Sequence, residues 1–384
     1  MGSVLSERQQ QGLRRANSGF VVGTGREVEA SGKRYLNFAA NDYLGLAHHP
    51  QLIRAWQQAA ERYGVGSGGS ALVTGHSAAH QQLVEELCDF TGYPAALLFS
   101  SGFAANHGVL ASLLKPGDRL LQDRLNHASL LDGGLASGAR MARFGHNDLA
   151  DLERHLIKAR AANSDGAVTL VASEGVFSMD GDGAPVAEMA RLCRQQEASL
   201  LIDDAHGLGV TGEGRGVLAA VSAHELPLYM ATFGKACGVG GAFVASDAQT
   251  IDYLTHCCRH YIYTTAMPPA QAAAAQAAIK LIRHDPEPRQ RLQALIAHWR
   301  RGAAELGLPL LASESAIQPL LVGGVDATLQ LAEALRARGF WAGAIRPPTV
   351  PVGQARLRIT LCALHQFEDI DRLLDAISQC WRPQ

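Results

Sequence analysis

From about residue 50 to residue 265, short apolar runs alternate with segments of helical periodicity. The runs at 95–100, 118–123, 140–144, 167–173, 199–203, 228–233 and 241–245 predict strands. Between them, 81–90 gathers Leu83, Val84, Leu87 and Cys88 on one helical face, and 149–160 does the same with Leu149, Leu152, Leu156 and Ile157. Strands that alternate with amphipathic helices imply a mostly parallel sheet covered on both faces.

The flanks read differently. The first 45 residues are loop-rich, broken by Gly19, Gly23, Gly25 and Gly32. Residues 268–302 predict a long helix or a pair parted around Pro286 and Pro288. Beyond it, a strand at 316–322, a helix at 328–338 capped by Asp326 and stopped by Gly339, strands at 340–345 and 356–361, and a last helix from about 367 predict a small α+β domain. The expected organisation is an N-terminal arm over 1–45 that packs with the small domain, a large domain over 46–267, a connecting helix over 268–300 and a small C-terminal domain over 301–384.

Composition narrows the function classes. The chain has 384 residues, 47% of them apolar and 18% charged, enough to bury a sizeable core. The net charge of −2 argues against a nucleic-acid binder held by phosphate charge. The softest stretch, 269–282, is interrupted by Gln271, Gln276 and Lys280, so no membrane span is expected. The polar opening carries no secretory apolar region. The seven cysteines are scattered without CxxC spacing, which suits reduced thiols in a cytoplasmic protein and no metal site.

Two G-x-G-x-x-G matches, at 64–69 and 207–212, are poor dinucleotide sites, because the first follows a helical segment and the second runs on into loop. Other features are more informative. The strand at 95–99 turns through Ser100, Ser101 and Gly102 directly into a helix from Phe103, which would present free N–H groups to an anion. The strand at 200–202 ends in Asp203-Asp204-Ala205-His206-Gly207, where a buried carboxylate needs a cation or several donors. Lysine is scarce, and of Lys33, Lys115, Lys158, Lys235 and Lys280 only Lys235 sits in an apolar, glycine-rich setting that favours an uncharged, nucleophilic amine. Pyridoxal phosphate needs these three things: a lysine for its aldehyde, an anion for its ring nitrogen, and a helix N-terminus for its phosphate. Lys235, Asp203, and Ser101 with Gly102 and Phe103 would supply them.

The motifs also resemble a known family. The segments Asn41-Asp42-Tyr43-Leu44-Gly45-Leu46, Gly66-Ser67-Gly68-Gly69-Ser70, Ser101-Gly102-Phe103-Ala104-Ala105-Asn106, Asp123-Arg124-Leu125-Asn126-His127-Ala128-Ser129, Glu174-Gly175-Val176-Phe177-Ser178-Met179-Asp180-Gly181-Asp182 and Thr232-Phe233-Gly234-Lys235 are similar, over nearly the full chain, to the α-oxoamine synthases of the aminotransferase-like, fold type I pyridoxal-phosphate superfamily. The resemblance implies an α/β fold with a large domain built on a mostly parallel seven-stranded sheet flanked by helices, plus the small C-terminal domain. It implies an acyltransferase that condenses an amino acid with an acyl thioester, with loss of carbon dioxide. Residues 345–351 and Ala205-His206-Gly207 look like the branch that joins L-alanine to a pimeloyl thioester, with another α-oxoamine synthase such as glycine C-acetyltransferase as the alternative.

Roles follow from the resemblance. Lys235 would hold the cofactor and move the α-proton, Asp203 would pair with its ring nitrogen, and His127 would stack on the ring. His206 and Ser178 would donate to the phenolic oxygen. Thr232 would join Ser101, Gly102 and Phe103 at the phosphate, and Thr265 would reach the phosphate of the other subunit of a homodimer. The amino acid's carboxylate needs a bidentate donor. Strand alternation points Arg356 and Arg358 to one face and cannot choose between them. The resemblance favours Arg358, assisted by Asn41, and assigns Thr349 with Arg14 or Arg15 to the acyl substrate, whose carrier could be coenzyme A or an acyl carrier protein.

Overall fold

A computed structural model describes residues 1–10, 19–162 and 166–381. In chain order its strands are β1 (Val22–Gly23), β2 (Glu27–Ala30), β3 (Lys33–Phe38), β4 (Ala95–Phe99), β5 (Arg119–Asp123), β6 (Arg140–Phe144), β7 (Thr169–Glu174), β8 (Ser199–Asp203), β9 (Leu228–Thr232), β10 (Ala242–Ser246), β11 (Ile317–Gly323), β12 (Phe340–Ile345) and β13 (Ala355–Thr360). The chain divides into two units.

One unit comprises residues 46–177 and 183–286. Its seven-stranded sheet has the order β4-β10-β9-β8-β7-β5-β6, and only β10 runs against its neighbours. The reversal has a local cause. β9 passes to β10 through residues 233–241 with no crossover helix, so the two strands can only pair antiparallel. β7 is buried at every position and β8 at all but its first, as a sheet covered on both faces requires. Leu97, Phe99, Leu170, Leu201 and Met230 of this sheet pack with Ala105, Val109, Leu110 and Leu130 of the helices Gly102–Leu113 and Ala128–Ser137. The pairing brings the carboxyl ends of β4, β5, β7, β8 and β9 to one edge, where ligands of open α/β sheets bind.

The other unit comprises residues 1–45, 178–182 and 287–384. Its six-stranded sheet has the order β1-β2-β3-β12-β13-β11. The opening segment, read as loop-rich, therefore holds three strands. β3 buries Leu36 and Phe38 and exposes Lys33 and Arg34, and it pairs in parallel with β12, Leu36 opposite Phe340. β3 also pairs antiparallel with β2, Ala30 opposite Lys33, so Ser31 and Gly32 form a hairpin turn, while the pairing with β12 some three hundred residues away leaves no local signal. Trp299, Leu357, Ile359, Ile370 and Ile377 fill the core.

The helix Pro269–His284 gives way to Glu287–Glu305 at the expected break. Asp326 is not the cap of its helix. That helix runs Val325–Ala337 with Gly324 as N-cap, and Asp326 lies in the first turn, where its charge suits the dipole. Among the described residues no helix is long and apolar enough to cross a membrane.

Candidate active site

At the end of β8, Asp203 is 5% exposed. Its Oδ2 accepts from Asn106 Nδ2 at 2.6 Å and its Oδ1 from the Ala205 N–H at 3.0 Å. Asn106 lies on the helix that follows β4 and also donates to Ser129 Oγ at 3.0 Å. Two accepted bonds leave lone pairs of Asp203 available to a cationic N–H. Three residues on, His206 Nε2 lies 2.7 Å from Lys235 Nζ, so the turns after β8 and β9 meet.

His127 caps the helix Ala128–Ser137, with its Nδ1 accepting from the Ser129 N–H at 3.2 Å. Its backbone N–H donates to Glu174 Oε1 at 2.6 Å, tying the turn after β5 to the end of β7. The ring opens outward, yet the protein packed around it lowers the imidazole pKa; the Asp203 carboxylate pulls it back up and the Lys235 ammonium pushes it further down. His127, Asp203 and Lys235 thus share one electrostatic neighbourhood.

Ser101 caps the helix Gly102–Leu113 by accepting from the Ala104 N–H at 3.2 Å. A Cβ built on Gly102 would stand 3.9 Å from Thr232 Cβ, so the helix start faces the end of β9. Thr232 Oγ1 donates to the Gly241 carbonyl at 2.7 Å and accepts from the Gly234 N–H at 3.1 Å. Phe103 is exposed in the first helical turn, its ring edge-on to His127. Thr265 is exposed too. It bridges to Ser70, and the Ala266 N–H donates to the Gly69 carbonyl at 3.0 Å, so the glycine loop after the helix Pro50–Tyr63 is pinned to this segment rather than opening a dinucleotide-binding helix.

The remaining candidates belong to the other unit. Arg358, 7% exposed, donates from Nε to the Ser178 carbonyl at 2.6 Å and from Nη1 to Asn41 Oδ1 at 3.2 Å, with Nη2 3.5 Å from the Tyr43 hydroxyl. Arg356 points into a different set of partners: Nη1 meets Asp180 Oδ1 at 2.8 Å, and Nε donates to the Gln354 carbonyl at 3.0 Å. Thr349 lies between β12 and β13, with its N–H donating to the Arg346 carbonyl at 3.1 Å. Arg14 and Arg15 fall outside the described residues. Asn106, Tyr43, Glu174 and Asp180 lie inside the motifs with no role legible from sequence; only their contacts single them out.

The residues fit pyridoxal phosphate. A buried carboxylate with spare lone pairs, an amine beside an imidazole, and a glycine helix start facing a threonine match its ring nitrogen, aldehyde and phosphate.

Comparison with known proteins agrees. The family model "Aminotransferase class I and II" matches residues 33–377. An 8-amino-7-oxononanoate synthase from Aeromonas salmonicida is 52% identical over 383 residues, 99% of this chain and 94% of that protein. One from Salmonella paratyphi B is 53% identical, covering 98% of this chain and 96% of that protein. The chain belongs to the 8-amino-7-oxononanoate synthase family. Among solved structures, 8-amino-7-oxononanoate synthase from Francisella tularensis superposes with a TM-score of 0.78 at 29% identity, covering 90% of this chain and 97% of that one. A serine palmitoyltransferase from S. paucimobilis with a bound PLP–myriocin adduct superposes with a TM-score of 0.91 at 29% identity, covering 98% and 96%. The aminotransferase-like α/β fold expected from the motifs is therefore the fold of this chain.

Proposed function

We propose that the protein is a pyridoxal-phosphate-dependent 8-amino-7-oxononanoate synthase of biotin synthesis. It joins the α-carbon of L-alanine to the carbonyl of a pimeloyl thioester, releasing carbon dioxide and the free thiol carrier. The supporting observation is the meeting of Lys235 Nζ and His206 Nε2 at 2.7 Å beside the strand-end carboxylate Asp203, in a chain 52% identical to proteins of that name.

When bound, the cofactor supplies an aldehyde for Lys235 and a ring that takes up electrons from the amino acid's α-carbon. Lys235 takes the α-proton and later returns one, with His206 at its Nζ as hydrogen-bond partner. Asp203, buried and held by Asn106, keeps the ring nitrogen protonated. His206 and Ser178 would donate to the phenolic oxygen, and His127 would stack on the ring. Ser101, Gly102, Phe103 and Thr232 hold the phosphate by helix N–H groups and hydroxyls. Arg358 with Asn41 binds the amino acid's carboxylate. Thr349 and one of Arg14 and Arg15 hold the acyl substrate.

The working form is a cytoplasmic homodimer, with Thr265 serving the partner's phosphate. The exposed apolar side chains Val65, Leu72, Val73 and Tyr263 around the glycine loop suit such an interface. The acyl group arrives on coenzyme A or on an acyl carrier protein.

The test is a pair of assays on purified protein with pyridoxal phosphate. L-Alanine plus pimeloyl-CoA should give 8-amino-7-oxononanoate and free thiol, whereas glycine plus acetyl-CoA should give far less. Preference for the second pair would overturn the assignment. Lys235→Ala should abolish both turnover and borohydride-trapped cofactor; retention of either removes Lys235 from its role.

A further inference from the structure

Residues 178–182 form a strap that belongs to a different unit from the residues on either side of it. Every carbonyl from 178 to 181 except that of Asp180 is fixed by a side chain of its own unit. The Ser178 carbonyl accepts from Arg358 Nε at 2.6 Å and the Met179 carbonyl from Arg356 Nη1 at 3.3 Å. The Gly181 carbonyl accepts from Ser313 Oγ and Ser315 Oγ, both at 2.8 Å. Asp180 contributes its carboxylate instead, 2.8 Å from Arg356 Nη1. Gly181 has φ +75°, and a Cβ there would overlap the Ile317 carbonyl, so the strap has little room to shift.

The two arginines of β13 are therefore not equivalent. The Arg356 side chain is 2% exposed, and all three of its nitrogens face the strap or Gln354. Four of its five N–H donors are taken by these partners. Arg358 spends its Nε on the strap and keeps both Nη groups toward Asn41 and Tyr43, the latter at only 3.5 Å. A guanidinium presents its Nη pair in a direction fixed by what its Nε holds, because the group is planar. The Ser178 carbonyl thus aims Arg358, and the Arg356–Asp180 pair, anchoring the next two residues of the strap, fixes that carbonyl.

We propose that Arg356 and Asp180 form a latch that positions Arg358 for the amino acid's carboxylate. Neither touches substrate. The proposal rests on the reading of Arg358 given above, and the test separates the two.

The experiment measures binding to the holoenzyme by the absorbance change of bound cofactor, for L-alanine and for ethylamine, which lacks the carboxylate. Asp180→Asn and Arg356→Lys should each raise the dissociation constant of L-alanine about tenfold, leaving ethylamine binding, cofactor affinity and the KM for pimeloyl-CoA unchanged. Arg358→Ala should raise the L-alanine constant by more and spare ethylamine equally. Asp180 is partly exposed, so its amide variant tests the idea even where Arg356→Lys fails to fold. If both latch variants bind L-alanine normally while Arg358→Ala does not, the latch is rejected and Arg358 keeps its role. Equal loss for L-alanine and ethylamine would mean a general structural defect and also rejects the latch. Normal L-alanine binding by Arg358→Ala rejects the carboxylate site itself and the latch with it.

Discussion

Beside Asp203 sits a second carboxyl group under different constraints. Asp204 is 0% exposed, and a Cβ on Gly175, Gly207 or Gly216 would overlap its carboxyl oxygens. Its Oδ2 accepts from the Val217 N–H at 2.9 Å and the Tyr229 hydroxyl at 3.1 Å, while its Oδ1 has no hydrogen-bond partner among the described residues. Burial pushes its pKa up to about 7; the bonds from Val217 and Tyr229 oppose the rise and the Asp203 charge adds to it. The folded state therefore prefers the protonated acid. That preference stabilises the fold fully below about pH 4 and is lost as pH rises through about 7. Asp204→Asn, which keeps an acceptor oxygen, should remove this loss. Urea unfolding at pH 5 and pH 8 should show the native chain weakening more than the variant, and parallel behaviour would refute it. Asp203 and Asp204 were equally plausible partners of a cation by residue type alone, and only the turn after β8 separates their surroundings. Arg356 and Arg358 posed the same difficulty, since two-residue periodicity makes them twins until partners some 180 residues away are known.

Elements were more legible than residues. A strand buried on both faces announces itself as an apolar run, as β8 does at the predicted 199–203; β6, an edge strand that exposes Arg140 and Arg143, also falls on the predicted 140–144. β7 is shifted to Thr169–Glu174, because a buried glutamate at a strand end does not look like a strand residue until its partner, the His127 N–H, is known. β2 and β3 form a local antiparallel hairpin closed by Ser31 and Gly32, so Gly32, read as a break in a loop, is in fact part of its turn; only the pairing of β3 with β12 leaves no local trace. The helix start at Ser101 was visible as a strand turning through serine and glycine, and its geometry supports a prediction. Ser101 is exposed and accepts the Ala104 N–H, so Ser101→Ala should cost about 1 kcal/mol of stability in the unloaded protein by loss of the cap. Calorimetry on unloaded protein checks this. The loss should shrink when pyridoxal phosphate is present in excess, since a bound anion satisfies the same N–H groups. No change in either state would mean the cap is idle.

At the scale of the whole molecule, the unit built from both chain ends holds a buried histidine between its N-terminal and C-terminal segments. His365 is fully buried. Its Nδ1 accepts from the Cys362 N–H at 3.0 Å, its Nε2 lies 3.0 Å from the Asn37 carbonyl, and its ring stacks on Phe38 with centroids 4.3 Å apart. With one nitrogen accepting and the other donating, the imidazole must be neutral. It joins the N-terminal strand β3 to the segment leading into the helix Phe367–Cys380, whose Asp369 is paired with Arg26 at 2.7 Å. Burial pushes the His365 pKa down to about 4, against the pull of the Asn37 carbonyl and Asp369. An unfolded histidine titrates near 6.5, so the folded state gains from the neutral ring above about pH 6.5 and loses that gain as pH falls toward 4, by about 3 kcal/mol in all. Acid should therefore loosen this unit before it protonates ordinary carboxylates. His365→Gln should start with a lower melting temperature at neutral pH, because the ring's packing is gone, but should lose less on acidification from pH 6.5 to 4. Melting curves of both proteins across that range decide the matter: equal slopes would show that the acid sensitivity lies elsewhere, and the closure of the N-terminal strand onto the C-terminal segment would then not depend on a neutral imidazole at 365.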